Sequence, residues 1–274
     1  MKKILVPTDF SIEAENALKV AAQIAKKHNS EIYLLHMLEI PVQQTDAVSA
    51  HSEIPEVLFF MKMAHQKFEQ IMNSDYLEGI TVHEIVKPNG SFNDISNMCK
   101  EYDITLITMG SHGASGLKEI FVGSNAEKAV RHAEVPVLVI KNNHDHFSIN
   151  NIVFASDFKN DNKETYHQAT TFAKAFNAKI HLLLVNTPNN FKTTQKATDS
   201  INNFICDHNF EDFTLNIYND DTVEKGILNF SKDIDADLIG ISTHGRQGIA
   251  HFFNGSISED LVNHAKRPVI TFKI

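Results

Sequence analysis

The string Gly110-Ser-His-Gly113, followed after nine residues by Gly123-Ser124, is the part of this sequence best suited to hold a polyphosphate. Gly110 closes the apolar run Thr105-Leu-Ile-Thr-Met109, which puts it at the carboxyl end of a strand. Gly113 removes a side chain where backbone N–H groups would approach a phosphate. Gly123-Ser124 opens a helical stretch from Asn125 to His132, and the free N–H groups and positive dipole end of such a helix attract an anion. The two ends of one loop would then close on one ligand. Ser124 followed by Glu127 is also a capping box, an ordinary way to start a helix, and Ser256 with Glu259 repeats it. Taken alone, Ser124 reads equally as a cap and as a ligand.

The elements that must carry this loop come from an internal repeat. Ile4-Leu-Val-Pro-Thr-Asp9-Phe10 recurs as Ile152-Val-Phe-Ala-Ser-Asp157-Phe158, and Ile32-Tyr-Leu-Leu-His-Met37 as Ile180-His-Leu-Leu-Leu-Val185, both at an offset of 148 residues. Ser111-His112-Gly113 recurs as Thr243-His244-Gly245, and Val135-Pro136-Val137-Leu138 matches Arg267-Pro268-Val269-Ile270, now at an offset of 132. The second copy has therefore lost 16 residues between its second strand and its glycine motif. Residues 1–142 and 149–274 read as two domains joined by a polar linker, Asn142 to Ser148. Each copy alternates short apolar runs with amphipathic stretches, the pattern of βαβ units and a mostly parallel sheet. In copy one the spacing predicts strands near 2–7, 31–38, 80–86, 104–109 and 135–140. It also predicts a helix from Ser11 to His28 with a small-residue face of Ala14, Ala17, Leu18, Ala21, Ala22 and Ala25. Copy two repeats that face with Ala169, Phe172, Ala173 and Phe176. Such α/β folds bind ligands at the carboxyl ends of the strands, beside the switch in strand order.

The full glycine string resembles the G-x2-G-x9-G-[S/T] motif of ATP-binding universal stress proteins, and it occurs with the Val6-Pro7-Thr8-Asp9-Phe10-Ser11 opening typical of that family. The resemblance covers both halves. It implies two tandem Rossmann-like domains of the adenine nucleotide alpha hydrolase-like type, each a five-stranded sheet of order 3-2-1-4-5, with ATP, and magnesium as an option, across the switch point. Carried over to this sequence, Asp9 and the backbone of Met37 would contact the adenosine part with Thr8 nearby. Gly110, His112, Gly113, Gly123, Ser124 and Asn125 would surround the ribose and phosphates. Asp9 also reads as a helix-capping carboxylate and His112 as a solvated loop residue. A second, weaker site would use Asp157, Val185, Ser242, Gly245, Gly255 and Ser256. There Ser242 stands in place of Gly110 and Thr222 in place of Gly90, and a Cβ at 242 is expected to crowd the phosphate. Family members pair through their last strand, so the two copies are expected to pair within one chain, near Val135 to Ile140 and Pro268 to Phe272, with a homodimer of the whole chain as an option. Pro136 and Pro268, lacking an N–H, suit an edge strand.

Composition removes several other classes. The 274 residues carry a net charge of −9, spread over both halves, with no Lys/Arg-rich run, so nucleic acid is a poor partner. No run of about 20 apolar residues is present for a membrane span, and Asp9 and Glu13 interrupt any signal-peptide core, which reads as an untargeted, cytoplasmic chain. Cys99 and Cys206 lack metal or redox spacing and read as free thiols. His144-Asp-His146 reads as solvated linker, and no metal site is expected. There is no Gly-Lys-[Ser/Thr] P-loop, no Gly-x-Ser-x-Gly elbow and no His-Glu-x-x-His helix. The motif offers no evident base to activate water, so ATP turnover would be slow at most. The leading reading is an ATP-binding stress-response regulator acting on an unidentified protein partner. An interaction module with vestigial pockets is second, and a slow adenosine-nucleotide hydrolase third.

Overall fold

The computed structural model describes residues 1–38, 53–88, 92–111, 126, 128–130, 133–159, 163–206, 210–243 and 261–273. The first series of elements is β1 (Lys3–Pro7), α1 (Ile12–His28), β2 (Glu31–Leu38), α2 (Glu53–Met72), a single 3-10 turn at Asp75–Leu77, β3 (Val82–Pro88), α3 (Phe92–Glu101), β4 (Leu106–Gly110) and β5 (Val137–Ile140). The second is β6 (Asn151–Ala155), α4 (Lys163–Phe176), β7 (Lys179–Asn186), α5 (Thr194–Ile205), β8 (Phe213–Asn219), α6 (Val223–Asp233), β9 (Leu238–Thr243) and β10 (Val269–Lys273).

Local chemistry accounts for α1. Ser11, in extended backbone, accepts a hydrogen bond from the Ala14 N–H and so satisfies one of the first-turn donors. Glu13 and Glu15 lie at the positive end of the helix dipole, Lys26, Lys27 and His28 at the negative end. Asn29 then turns left-handed, with φ of 50°, and its N–H returns to the Ala25 carbonyl, which stops the helix. The alanine face is buried as the spacing predicts, and so are Ala169, Phe172, Ala173 and Phe176 on α4.

The ten strands form one sheet in the order β3-β2-β1-β4-β5-β10-β9-β6-β7-β8. Each half has the expected 3-2-1-4-5 order, parallel throughout. The halves meet at an antiparallel pair, Val137 opposite Thr271, Leu138 opposite Ile270 and Val139 opposite Val269. Pairing through the final strands is therefore what the chain does. The reading of the prolines needs correction: β5 and β10 are edges only within their own halves and form the middle of the continuous sheet. Pro136 and Pro268 sit just before these strands and contribute carbonyls alone, to the N–H groups of Ile107 at 2.9 Å and Ile239 at 3.1 Å. A missing donor costs nothing there.

Two apolar cores cover the two faces of this sheet, and each runs through both halves. On one face α1 and α4 meet, with the His28 ring 5.2 Å from that of Phe176 and the Lys27 ammonium 4.9 Å above Phe176. Val137 to Ile140 and Val269 to Phe272 are each at most 2% exposed. Burying one large aliphatic side chain contributes about 1.5–3 kcal/mol, so the joint is held by packing and not by the tether. The linker is docked as well. The Gln23 side chain donates to the His144 carbonyl at 2.8 Å and accepts from the Phe147 N–H at 2.6 Å, while the Asn142 amide donates to the Lys266 carbonyl at 3.3 Å.

Candidate functional site

The carboxyl end of β1 leaves the sheet through a turn built from its own side chains. The Thr8 N–H still bonds the Leu35 carbonyl of β2 at 2.8 Å, and the Thr8 hydroxyl accepts from the Phe10 N–H at 3.0 Å. That bond holds Phe10 at a φ of 65°, a left-handed conformation a bulky residue rarely adopts. Asp9 Oδ1 then accepts from the Ser11 N–H at 3.0 Å and from its hydroxyl at 2.5 Å. Ser11 Oγ in turn caps α1. Asp9 is thus one step removed from the helix: the capping role read for it belongs to Ser11, and its carboxylate stands exposed at the end of the strand.

Neighbouring strands bring the other candidates to the same edge. Met37 lies near the end of β2, on the face of the second core. His36, beside it, points to the opposite face. Its Nδ1 lies 2.8 Å from the Thr8 carbonyl, which can only accept, so Nδ1 carries the proton. Burial holds the His36 pKa below its ordinary value and keeps the ring neutral. Gly110 ends β4 opposite Ile140, and the Ser111 N–H continues the ladder to the Ile140 carbonyl at 3.0 Å. Strand β1 pairs with β4 only at Ile4 and Leu5, so beyond them the two carboxyl ends part, as a switch point requires. Thr8, Asp9, Met37 and Gly110 therefore share one sheet edge. His112, Gly113, Gly123, Ser124 and Asn125, with Gly245, Gly255 and Ser256 of the second half, lie outside the described residues.

The second half rebuilds the backbone part of the turn. The Ser156 N–H bonds the Leu183 carbonyl at 3.2 Å, the Ser156 hydroxyl accepts from the Phe158 N–H at 3.0 Å, and Phe158 has a φ of 56°. Asp157 Oδ1 accepts from the Lys159 N–H at 3.2 Å. The universal stress protein family model matches residues 1–141 and 217–273 of this sequence. The chain belongs to the universal stress protein family. It is 32% identical over 153 residues to the universal stress protein MJ0577 of Methanocaldococcus jannaschii, an alignment that takes in 51% of this chain and 94% of that one. The universal stress protein Slr1230 of Synechocystis is 23% identical over 295 residues, with both chains covered in full. The crystal structure of a universal stress protein from Archaeoglobus fulgidus matches with a TM-score of 0.72 and 22% identity, over 99% of this chain and 96% of that one, a likeness of fold.

Within this universal stress protein the two halves differ at the site. Asp157 is buried, and the Lys159 ammonium sits 2.9 Å from its Oδ2. Lys159 stands where the first half has Ser11. The segment after β7, shortened by the missing 16 residues, turns back over the site. The Asn186 side chain clamps it, donating to the Lys192 carbonyl at 3.0 Å and accepting from the Lys192 N–H at 3.1 Å. Helix α6 closes the other side so tightly that a Cβ on Gly226 would lie 2.5 Å from Val185 Cγ1. Asp157, Val185, Asn190 and Lys192 then surround a cavity of about 10 Å³, room for roughly one water. Thr222, expected only as a departure from Gly90, caps α6 by accepting from the Lys225 N–H.

Ser242 does not act as the sequence suggested. Its side chain points away from the strand ends into the core under α4, fully buried, with Oγ 2.7 Å from the hydroxyl of Thr165. The matching direction from Gly110 runs into α1, where an added Cβ would lie 2.7 Å from the Glu13 carbonyl oxygen. Gly110 is a glycine because a helix crosses it, and Ser242 crowds no phosphate. Sequence reasoning missed Lys159 and the clamp at Asn186, although the 16-residue shortening was the visible signal of a closed site.

Proposed function

We propose that this universal stress protein holds one adenine nucleotide, ATP, at the strand ends of its first half, and that the second half is a closed copy serving as the docking partner within the chain. The observation that carries this reading is the contrast between Asp9, exposed beside a parted pair of strand ends, and Asp157, buried against a lysine. Asp9 would accept hydrogen bonds from ribose hydroxyls, with Met37 beside the base. The glycine string from Gly110 to Ser124 would hold the phosphates through backbone N–H groups. Such groups bind charge without activating water, so bound ATP persists and phosphate release stays below roughly 1 per second.

Calorimetry with ATP on the parent and on Asp9→Ala, with mass spectrometry of nucleotide released on denaturation, tests the reading. One site per chain, weakened at least about tenfold by Asp9→Ala, is expected. Lys159→Ser should add no second site, because the Asn186 clamp still fills it. Two equivalent sites in the parent, or none, would overturn the proposal.

A further inference from the structure

We propose that the first half carries a second small-molecule site, between α1 and α2 on the face opposite Met37, which takes a small aromatic carboxylate. The space there is a cavity of about 300 Å³, at the lower end of the range that small-ligand pockets occupy. Its apolar wall is Phe10, Leu18 and Ile71, and its polar rim includes Lys67, Ser74 and Tyr76. Phe10 is held upright by its left-handed turn and by an edge-on contact with Phe68 at 5.3 Å, so the wall is rigid.

The repeat supplies a control within the same chain. Phe158 meets Phe204 at the same 5.3 Å in the second half. There the residue equivalent to Leu18 is Tyr166, 1% exposed, with ring contacts to Phe154 at 5.7 Å and Phe204 at 5.6 Å. The position is closed in both copies, Leu18 being 2% exposed and Tyr166 1%, but the first half fills it with the smaller side chain, which borders the space between α1 and α2.

The charge at the rim selects an anion. Glu15 also borders the cavity, but its carboxylate is engaged by Lys19 at 2.9 Å. The Lys67 ammonium lies 4.7 Å above the Phe10 ring and has no ion pair among the described residues. An aromatic ring laid against Phe10, Leu18 and Ile71 would present its carboxylate to Lys67, and a polar group at its far end would meet the hydroxyls of Ser74 and Tyr76.

The probe is 4-hydroxybenzoate, titrated into the full chain by calorimetry and by ligand-observed NMR, with benzamidine as a cation of the same shape. Saturable one-to-one binding is expected for 4-hydroxybenzoate and none for benzamidine. Lys67→Gln should weaken it by roughly tenfold or more. Leu18→Tyr, which copies the second half, should abolish it, at a cost in melting temperature because the position is buried. If Leu18→Tyr fails to fold, Lys67→Gln at the exposed rim still decides. No binding by the parent, equal binding of benzamidine, or parent-like affinity in both variants would overturn the proposal.

Discussion

Replacing Gly110 with alanine separates two roles that one glycine could play. The added Cβ would stand 2.7 Å from the Glu13 carbonyl oxygen and 2.8 Å from its carbon, closer than the 3.0 Å that real contacts essentially never breach. Both atoms are backbone in the first turn of α1. That turn cannot step aside alone, because Ser11 caps it and eight residues of the helix are buried against the sheet. Forcing an extra methyl into a packed interior costs about 1–3 kcal/mol. The unfolded chain loses some freedom when glycine becomes alanine, which returns about 0.4–1 kcal/mol. A net loss of up to about 2.6 kcal/mol remains, with a midpoint of about 1.3 kcal/mol, which is a fall of roughly 3–5 °C in melting temperature for a protein of this size. Urea unfolding and thermal melts without nucleotide measure it. Ser242→Gly is the companion variant, expected to lose about 1 kcal/mol by removing the buried hydrogen bond to Thr165. If Gly110→Ala keeps the parent's urea midpoint yet loses ATP, the close approach of α1 is not what requires glycine, and the argument from packing fails.

Gln23→Ala removes two of the hydrogen bonds that seat the linker, so limited proteolysis should cut within residues 142–148 several times faster than in the parent while the two halves stay folded; an unchanged cleavage rate would show that the linker is held by other contacts. Stability should fall as the pH drops below the ordinary histidine value of 6.5. His28, facing Phe176, Lys27 and the amino terminus, has its pKa lowered first by burial. Burial likewise lowers His36, which faces Lys67 and Asp9, His144 beside Phe147, and His181, which faces Lys179 and Asp212. In each case the unfolded chain takes up a proton at 6.5 that the folded one still refuses, so the stability is complete above 6.5 and is lost as pH falls toward the folded value. Urea midpoints at pH 7.5 and 5.5 check this, with His28→Gln expected to flatten the slope; a midpoint that rises on acidification would contradict it.

Much of the molecule was legible because it is written in short-range chemistry. The repeat, the strand runs, the Ser11 cap and the alanine face of α1 each depend on residues within a few positions of one another, and each is where the sequence puts it. The last-strand pairing was legible too, since an apolar strand left open at an edge requires a cover. What only the tertiary structure decided is which space each side chain enters. Gly110 and Ser242 align in the repeat, yet one faces the Glu13 backbone of α1 and the other the Thr165 hydroxyl of α4. The closure over Asp157 depends on Lys159, Asn186 and Lys192 converging from a turn and a shortened loop. The cavity beside Leu18 depends on residues of α2 some fifty positions away. Periodicity tells which way a residue points, but whether the space it points into is filled, charged or open is set by elements distant in the chain.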